Sequence, residues 1–162
     1  MLVVSDATPL NILVRLGHIH VLPAIFEQVV VPASVVDEMS RLATPPMVRE
    51  WVANPPDWLS VLTPTIADPV TTLRHRGERD AIRLAQELSA DAILLDDEKP
   101  RVQAKRLGLR VVGTIGILEI SANRGLIKDL ALVHQQLRLT DFYVSQSVLA
   151  DSLTRHMRSK GQ

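Results

Sequence analysis

The stretch GERDAIRLAQELSADAILLDDEKPR, residues 77–101, carries most of the information about the fold. Over GERDAIRLAQELSA (77–90), Ala81, Leu84, Ala85 and Leu88 recur at helical spacing with Ile82 beside them, and Arg79 and Arg83 fall on the outer side. AILL (92–95) is then a short, uninterrupted apolar run of strand length, and a second helical pattern runs from Glu98 to Leu107. Helix, buried strand, helix is the repeating unit of a parallel sheet with helices packed on it.

The rest of the chain continues the alternation. LVVSD (2–6), QVVVP (28–32), WLSVL (58–62) and LRVVG (109–113) read as further strands, with 58–62 placed at an edge. Thr8-Pro9 and Thr44-Pro45 each look like an N-cap followed by proline at the first helical position, predicting helices over 9–17 and 47–54. Further helices are expected over 19–26, where Pro23 would shorten the element, and over 33–43, entered at Pro32. Thr114 is expected to cap a helix closed by Gly125, a helix follows over 129–139, and Ser145 is expected to cap the last one, 147–157. Residues 63–76 read as a loop and RSKGQ as a frayed tail. With no internal repeat and no linker, the expected organisation is one α/β domain over 1–162, its core at about 2–127 and its C-terminal helices at 129–157.

Composition narrows the function. The chain has 162 residues, no cysteine, and 18 basic residues against 18 acidic ones. Thiolate metal sites and disulfides are excluded, a whole-molecule basic field is absent, and a nucleic-acid partner would have to use a local patch. Aromatic residues make up only 3%, too few for a base-stacking platform. No apolar run is long enough to span a membrane and no leader pattern opens the chain, so a soluble, cytoplasmic protein is expected.

Three acids in a row, Asp96, Asp97 and Glu98, follow the AILL strand, and Asp6 ends the first strand. Ligands of open α/β sheets bind beyond the carboxyl ends of the strands, so adjacent strands would place these carboxylates in one crevice. Glu38 comes from the helix over 33–43, where Val35, Val36, Met39 and Leu42 suggest the apolar face and Asp37 pairs with Arg41 at the surface. From the helix at 77–90, Glu78 stands roughly 60° from Ala81 and Asp80 roughly 100° away on the other side, so Glu78 is preferred over Asp80. Each acid also has a plain structural role available: Asp97 could cap the next helix, and Glu78 and Asp80 could favour the positive end of theirs. Acids from four segments at one sheet edge would repel one another without a cation. Carboxylate oxygens with no cysteine and no spaced histidine set suit Mg²⁺ or Mn²⁺. Phosphate-cradling G-x-x-x-x-G-K-[ST] and G-x-G-x-x-G motifs are absent, as is a G-x-S-x-G elbow.

SDATPL, VVDEM, GERDAIRLAQELSADAILLDDEKPR and GLRVVGTIGIL, in that order and spacing, resemble the PIN-domain family over about residues 2–127. The likeness is to its PIN-like branch of nucleic-acid-binding proteins related to VapC-type toxin ribonucleases. The resemblance implies a three-layer α/β/α domain with a central parallel sheet and a metal-dependent nuclease site built from an acid quartet. By position, Asp6 is the first acid, with the Thr8 hydroxyl accompanying it, and Glu38 is the second. The third is Glu78 or Asp80 and the fourth Asp96 or Asp97. Where the family usually shows Thr or Ser before its last acid, this chain has Leu94 and Leu95. The expected metal set is therefore Asp6, Glu38, Glu78 and Asp96 or Asp97, holding Mg²⁺ or Mn²⁺. The expected substrate is RNA, with Lys99 and Arg101 just past the acids as phosphate contacts. A homodimer through the C-terminal helices and an antitoxin protein are the expected partners. A catalytically silent binding module is the alternative, and a generic doubly wound domain would have no reason to bring Glu38 near Asp6.

Overall fold

The computed structural model describes residues 1–66 and 73–161. Its five strands are β1 (Leu2–Ser5), β2 (Gln28–Pro32), β3 (Leu59–Leu62), β4 (Ala92–Leu94) and β5 (Val111–Val112). They form a sheet in the order β3-β2-β1-β4-β5, and every pairing is parallel. Successive residues of a strand face opposite sides of the sheet, yet Val3, Val4, Ile93 and Leu94 are all completely buried. Both faces of the central strands are therefore covered, which is why these segments are continuously apolar rather than alternating. The fold is a three-layer α/β/α domain.

In the unit Met1–Val112, the helices that position the site are α1 (Ala7–Leu16), α3 (Ala33–Met39), α5 (Arg76–Glu87) and α6 (Glu98–Arg106). Short helices α2 (Val21–Ile25) and α4 (Pro46–Ala53) complete it. One face of the sheet is sealed by a cluster in which Val4, Val30, Ile93 and Leu95 meet Ala81, Ile82 and Ala85 of α5 and Ala104 of α6. Ala81, Ile82, Ala85, Ile93 and Leu95 of this cluster come from the helical stripe and strand run read from 77–101. The edge strand β3 is exposed after Leu59, as its weak apolar pattern implied.

Several boundaries differ from the sequence expectations for identifiable reasons. The N-cap of α1 is Asp6, not Thr8, so Pro9 is its third residue, where the missing N–H is still one of the helix's unbonded donors. Pro45, not Thr44, is the N-cap of α4. The helix expected to reach residue 43 stops at Met39: Ser40 Oγ bonds Val36 O at 2.7 Å and Thr44 Oγ1 bonds Glu38 O at 3.2 Å, so hydroxyls take up its last carbonyls. Leu42 is consequently 88% exposed and not part of the apolar face, which Val35 and Met39 supply. The loop expected over 63–76 lies partly outside the described residues, and its last residue, Arg76, already belongs to α5.

The unit Gly113–Gln162 holds α7 (Thr114–Asn123), α8 (Leu130–Arg138) and α9 (Gln146–Lys160). Gly113, not Thr114, is the N-cap of α7. Asp129 and Ser145 cap α8 and α9 by accepting from Leu132 N and Val148 N. A two-pronged ion pair between Arg155 and Glu119, at 2.8 to 3.2 Å, ties α9 to α7. Residues 158–160, expected to fray, continue α9.

Candidate metal centre

The strand order reverses direction at β1: β2 lies on one side and β4 on the other, so the two connections leave the sheet in opposite directions. A crevice opens at the carboxyl ends of strands at such a point. The register Val3↔Ala92, Val4↔Ile93, Ser5↔Leu94 continues in a bond from Asp6 N to Leu94 O at 3.1 Å. The chain after β1 and the chain after β4 thus enter the crevice together, one carrying Asp6 and the other Asp96 and Asp97.

Asp6, Glu78 and Asp97 converge. Each offers a carboxylate oxygen, and these oxygens all lie within 4.8 Å of one another; among the described residues they are a group able to hold a cation. Asp6 is only 4% exposed and Glu78 only 7%. Burial pushes the Asp6 carboxyl up to about 7, against a bond from its neighbour Ala7 N–H, and the charges of Glu38, Glu78 and Asp97 add to the rise. Burial likewise raises Glu78 to about 7, with a shared hydrogen bond and repulsion from Asp97 next and the charge of Glu38 last. Asp6 Oδ1 is buried with no hydrogen-bond partner, an arrangement that is unfavourable unless something electropositive faces it.

Glu38 lies beside this group without being one of its three members, close enough for its charge to act on Asp6 and Glu78. A Cβ added to Gly77 would lie 3.0 Å from Glu38 Oε2 and 3.6 Å from Asp6 Oδ1, so both oxygens crowd over the glycine that opens α5. The bare Cα of Gly77 lets α5 approach α3 closely enough for Glu38 and Glu78 to meet Asp6. A generic doubly wound domain has no reason for this meeting.

The remaining candidates are placed as follows. Asp97 occupies the N-cap of α6, but its carboxylate makes no capping bond and turns to Glu78 instead. Asp96 is half-buried and outside the three-oxygen group. Asp80 faces away from the centre: it accepts from Ser34 Oγ at 2.6 Å and pairs with Arg76 at 3.5 Å. Thr8 is half-buried in the first turn of α1. Arg101 donates to Leu95 O at 2.7 Å and so braces the turn that carries Asp96 and Asp97. Lys99 is exposed and lines a cavity of about 400 Å³ with Glu78, Asp97, Arg74 and His75. A smaller cavity, about 110 Å³, is lined by Glu38, Gly77, Arg41, Arg76 and again His75.

The sequence pattern alone did not single out Gly77 or His75. A glycine inside the first turn of a strongly amphipathic helix is the signal that could have marked Gly77, because it weakens the helix unless close packing needs it. His75 carries no such signal, since only the fold sets it between two cavities.

A buried, partnerless oxygen of Asp6 beside Glu78 and Asp97, at the switch point of a parallel sheet, defines an α/β domain with a carboxylate group able to hold a hard divalent cation. A family model described as a PIN domain matches residues 2–158, and the chain belongs to the PIN-domain family. No curated protein and no solved structure matches it. PIN domains are generally nucleases that use divalent metal ions. No described helix is long and apolar enough to cross a membrane.

Proposed function

We propose that the protein is an endoribonuclease dependent on Mg²⁺ or Mn²⁺, working in the cytoplasm as a homodimer and restrained by an antitoxin protein. The observation that carries the nuclease reading is Asp6 Oδ1, buried and without a partner beside Glu78 and Asp97. Hard oxygen donors, a fixed approach distance and the missing electropositive partner fit a divalent ion. Asp6, Glu78 and Asp97 would hold it and Glu38 would stand behind them. A divalent ion bound there supplies positive charge for activating water and for the departing oxygen of a phosphodiester. The chain's own part is to fix the geometry: the β1–β4 register sets Asp6 against Asp97, and Gly77 sets the depth of Glu78. Asp6 and Glu78, raised to about 7, would give up their protons to hold an ion there. RNA as substrate and an antitoxin as partner rest on the likeness to toxin ribonucleases, and the family match across both units supports one domain over the chain. Exposed Leu139, Tyr143 and Met157 in the C-terminal unit support self-association.

One observation favours the silent-module reading: Leu94 and Leu95, standing where the family usually has a hydroxyl, are completely buried and can offer none. Two measurements separate the readings. The nuclease is expected to gain thermal stability with Mn²⁺ and to cleave single-stranded RNA, and Asp6→Asn is expected to lose both. The absence of both stabilisation and cleavage would select the silent module; cleavage surviving Asp6→Asn would sink the proposed site.

A further inference from the structure

A third cavity, about 330 Å³, opens on the other flank of α5 and is lined by Arg76, Arg79, Arg83 and Asp80 together with Thr63, Pro64, Thr65 and Ile66. Three guanidiniums and one carboxylate line it, and a second carboxylate, Glu87, pairs with Arg83 Nε at 3.7 Å, which leaves an excess of one positive charge in a chain whose formal net charge is zero. The wall opposite the helix is clamped. Glu87 accepts from Thr65 N and Ile66 N, both at 3.0 Å, and Arg83 Nε donates to Ile66 O at 3.3 Å. Arg79 Nη1 is anchored on Leu73 O at 3.1 Å, and Asp80, held by Ser34, anchors Arg76 through Nε at 3.5 Å. Each anchor engages one side of a guanidinium that carries five N–H donors in a planar fork. Among the described residues these bonds leave N–H donors of the guanidiniums over, an arrangement suited to an oxyanion.

Arg76 also lines the small cavity that contains Glu38 and Gly77. The arginine cavity and the acid centre are therefore joined along the first turns of α5. Resting on the ribonuclease reading of that centre, we propose that Arg76, Arg79 and Arg83 form a subsite for a phosphodiester of the same RNA strand, neighbouring the one to be cleaved. Asp80 is a positioning residue that sets the Arg76 fork. With so few aromatic residues in the chain, this subsite reads backbone charge and tolerates any base.

The test is binding of short single-stranded RNA, followed by fluorescence anisotropy at several salt concentrations and without divalent ions. Arg76→Gln/Arg83→Gln is expected to weaken binding roughly tenfold or more and to flatten the salt dependence by about 0.7 in log–log slope for a phosphate that is no longer neutralised. Arg106→Glu, on the exposed end of α6, is the control and is expected to leave the slope nearer to wild type. A methylphosphonate scanned along the oligonucleotide should find a position where neutralising the phosphate removes the effect of the double variant. Unchanged affinity and slope in the double variant, or full additivity at every scanned position, would overturn the subsite. The Mn²⁺ thermal shift of the double variant shows that the acid centre remains assembled; if the shift is lost, Arg76→Lys/Arg83→Lys, which retains charge, replaces it, and binding still at the double variant's level overturns the subsite. Failure of the nuclease reading shows differently, as no Mn²⁺ shift and no cleavage in the wild-type protein.

Discussion

Asp6 is a buried carboxylate with an oxygen that nothing in the chain satisfies, and that defines its behaviour with and without metal. Its carboxyl, like that of Glu78, is pushed up to about 7 by burial and by neighbouring acids. For such a group the folded state keeps the proton over a range where the unfolded state has released it, so stability falls as pH rises from about 4 to about 7. Metal-free protein should therefore melt at a lower temperature at pH 7.5 than at pH 5.5, and Mn²⁺ should recover the difference at the higher pH. Asp6→Asn should raise the metal-free melting temperature at pH 7.5, by about 2–4 °C for each 1 kcal/mol of repulsion and desolvation relieved, while cutting cleavage by at least roughly 100-fold, since loss of an outer partner alone costs about 10–100-fold. A melting curve indifferent to pH over this interval would remove the basis for the buried acid pair. Gly77→Ala tests the same centre from below: a methyl 3.1 Å from Val35 Cγ2 and 3.0 Å from Glu38 Oε2 forces movement. The expected result is about 1–3 kcal/mol less stability and weaker Mn²⁺ binding, read by chemical denaturation and metal titration.

Among the elements, the entries of α6, α8 and α9 separate side chains that cap their helix from one that does not. Asp129 and Ser145 each accept a backbone N–H of their own helix, and Asp97 does not. Replacing Asp129 or Ser145 by alanine should cost about 1 kcal/mol. Asp97→Ala should leave stability nearly unchanged or increased in metal-free protein, and should abolish the Mn²⁺ response. A loss at Asp97 equal to that at Asp129 would return it to the role of an ordinary cap. The strands, α5 and the inward turn of Glu78 were legible because they depend on periodicity within a dozen residues. The nearness of Asp97, rather than Asp96, to Glu78 was not, since it depends on which oxygen reaches Glu78 from a separate helix. Nor was the end of α3, which no glycine or proline marks: the N–H groups of Ser40 and Arg41 and two hydroxyls take up its last carbonyls. The clamp from Glu87 to residues 65 and 66 was out of reach for the same reason: it joins positions more than twenty residues apart.

For the whole molecule, neutrality in bulk conceals a separation of charge on one helix. Glu78 faces the acid centre while Arg76, Arg79 and Arg83 line the neighbouring cavity, so the proposed hold on RNA would need no basic surface overall. Association is then expected to depend on salt through a few phosphates rather than a broad field. Self-association is expected to give a species of twice 17.9 kDa by light scattering, and a Tyr143→Asp/Met157→Asp variant should reduce it to one chain. A wild-type protein already monomeric at micromolar concentration would refute the dimer.

The raised carboxyls of Asp6 and Glu78 would make metal loading at the proposed site an exchange reaction. Near pH 6.5 both carboxyls favour their protonated forms, and binding of a divalent ion there would release protons to solution. The heat recorded on titrating Mn²⁺ should therefore change with the ionisation enthalpy of the buffer, and an unbuffered sample should acidify as the ion binds. The affinity for the ion should climb with pH through the same interval, making the centre a meter of acidity as well as of metal supply.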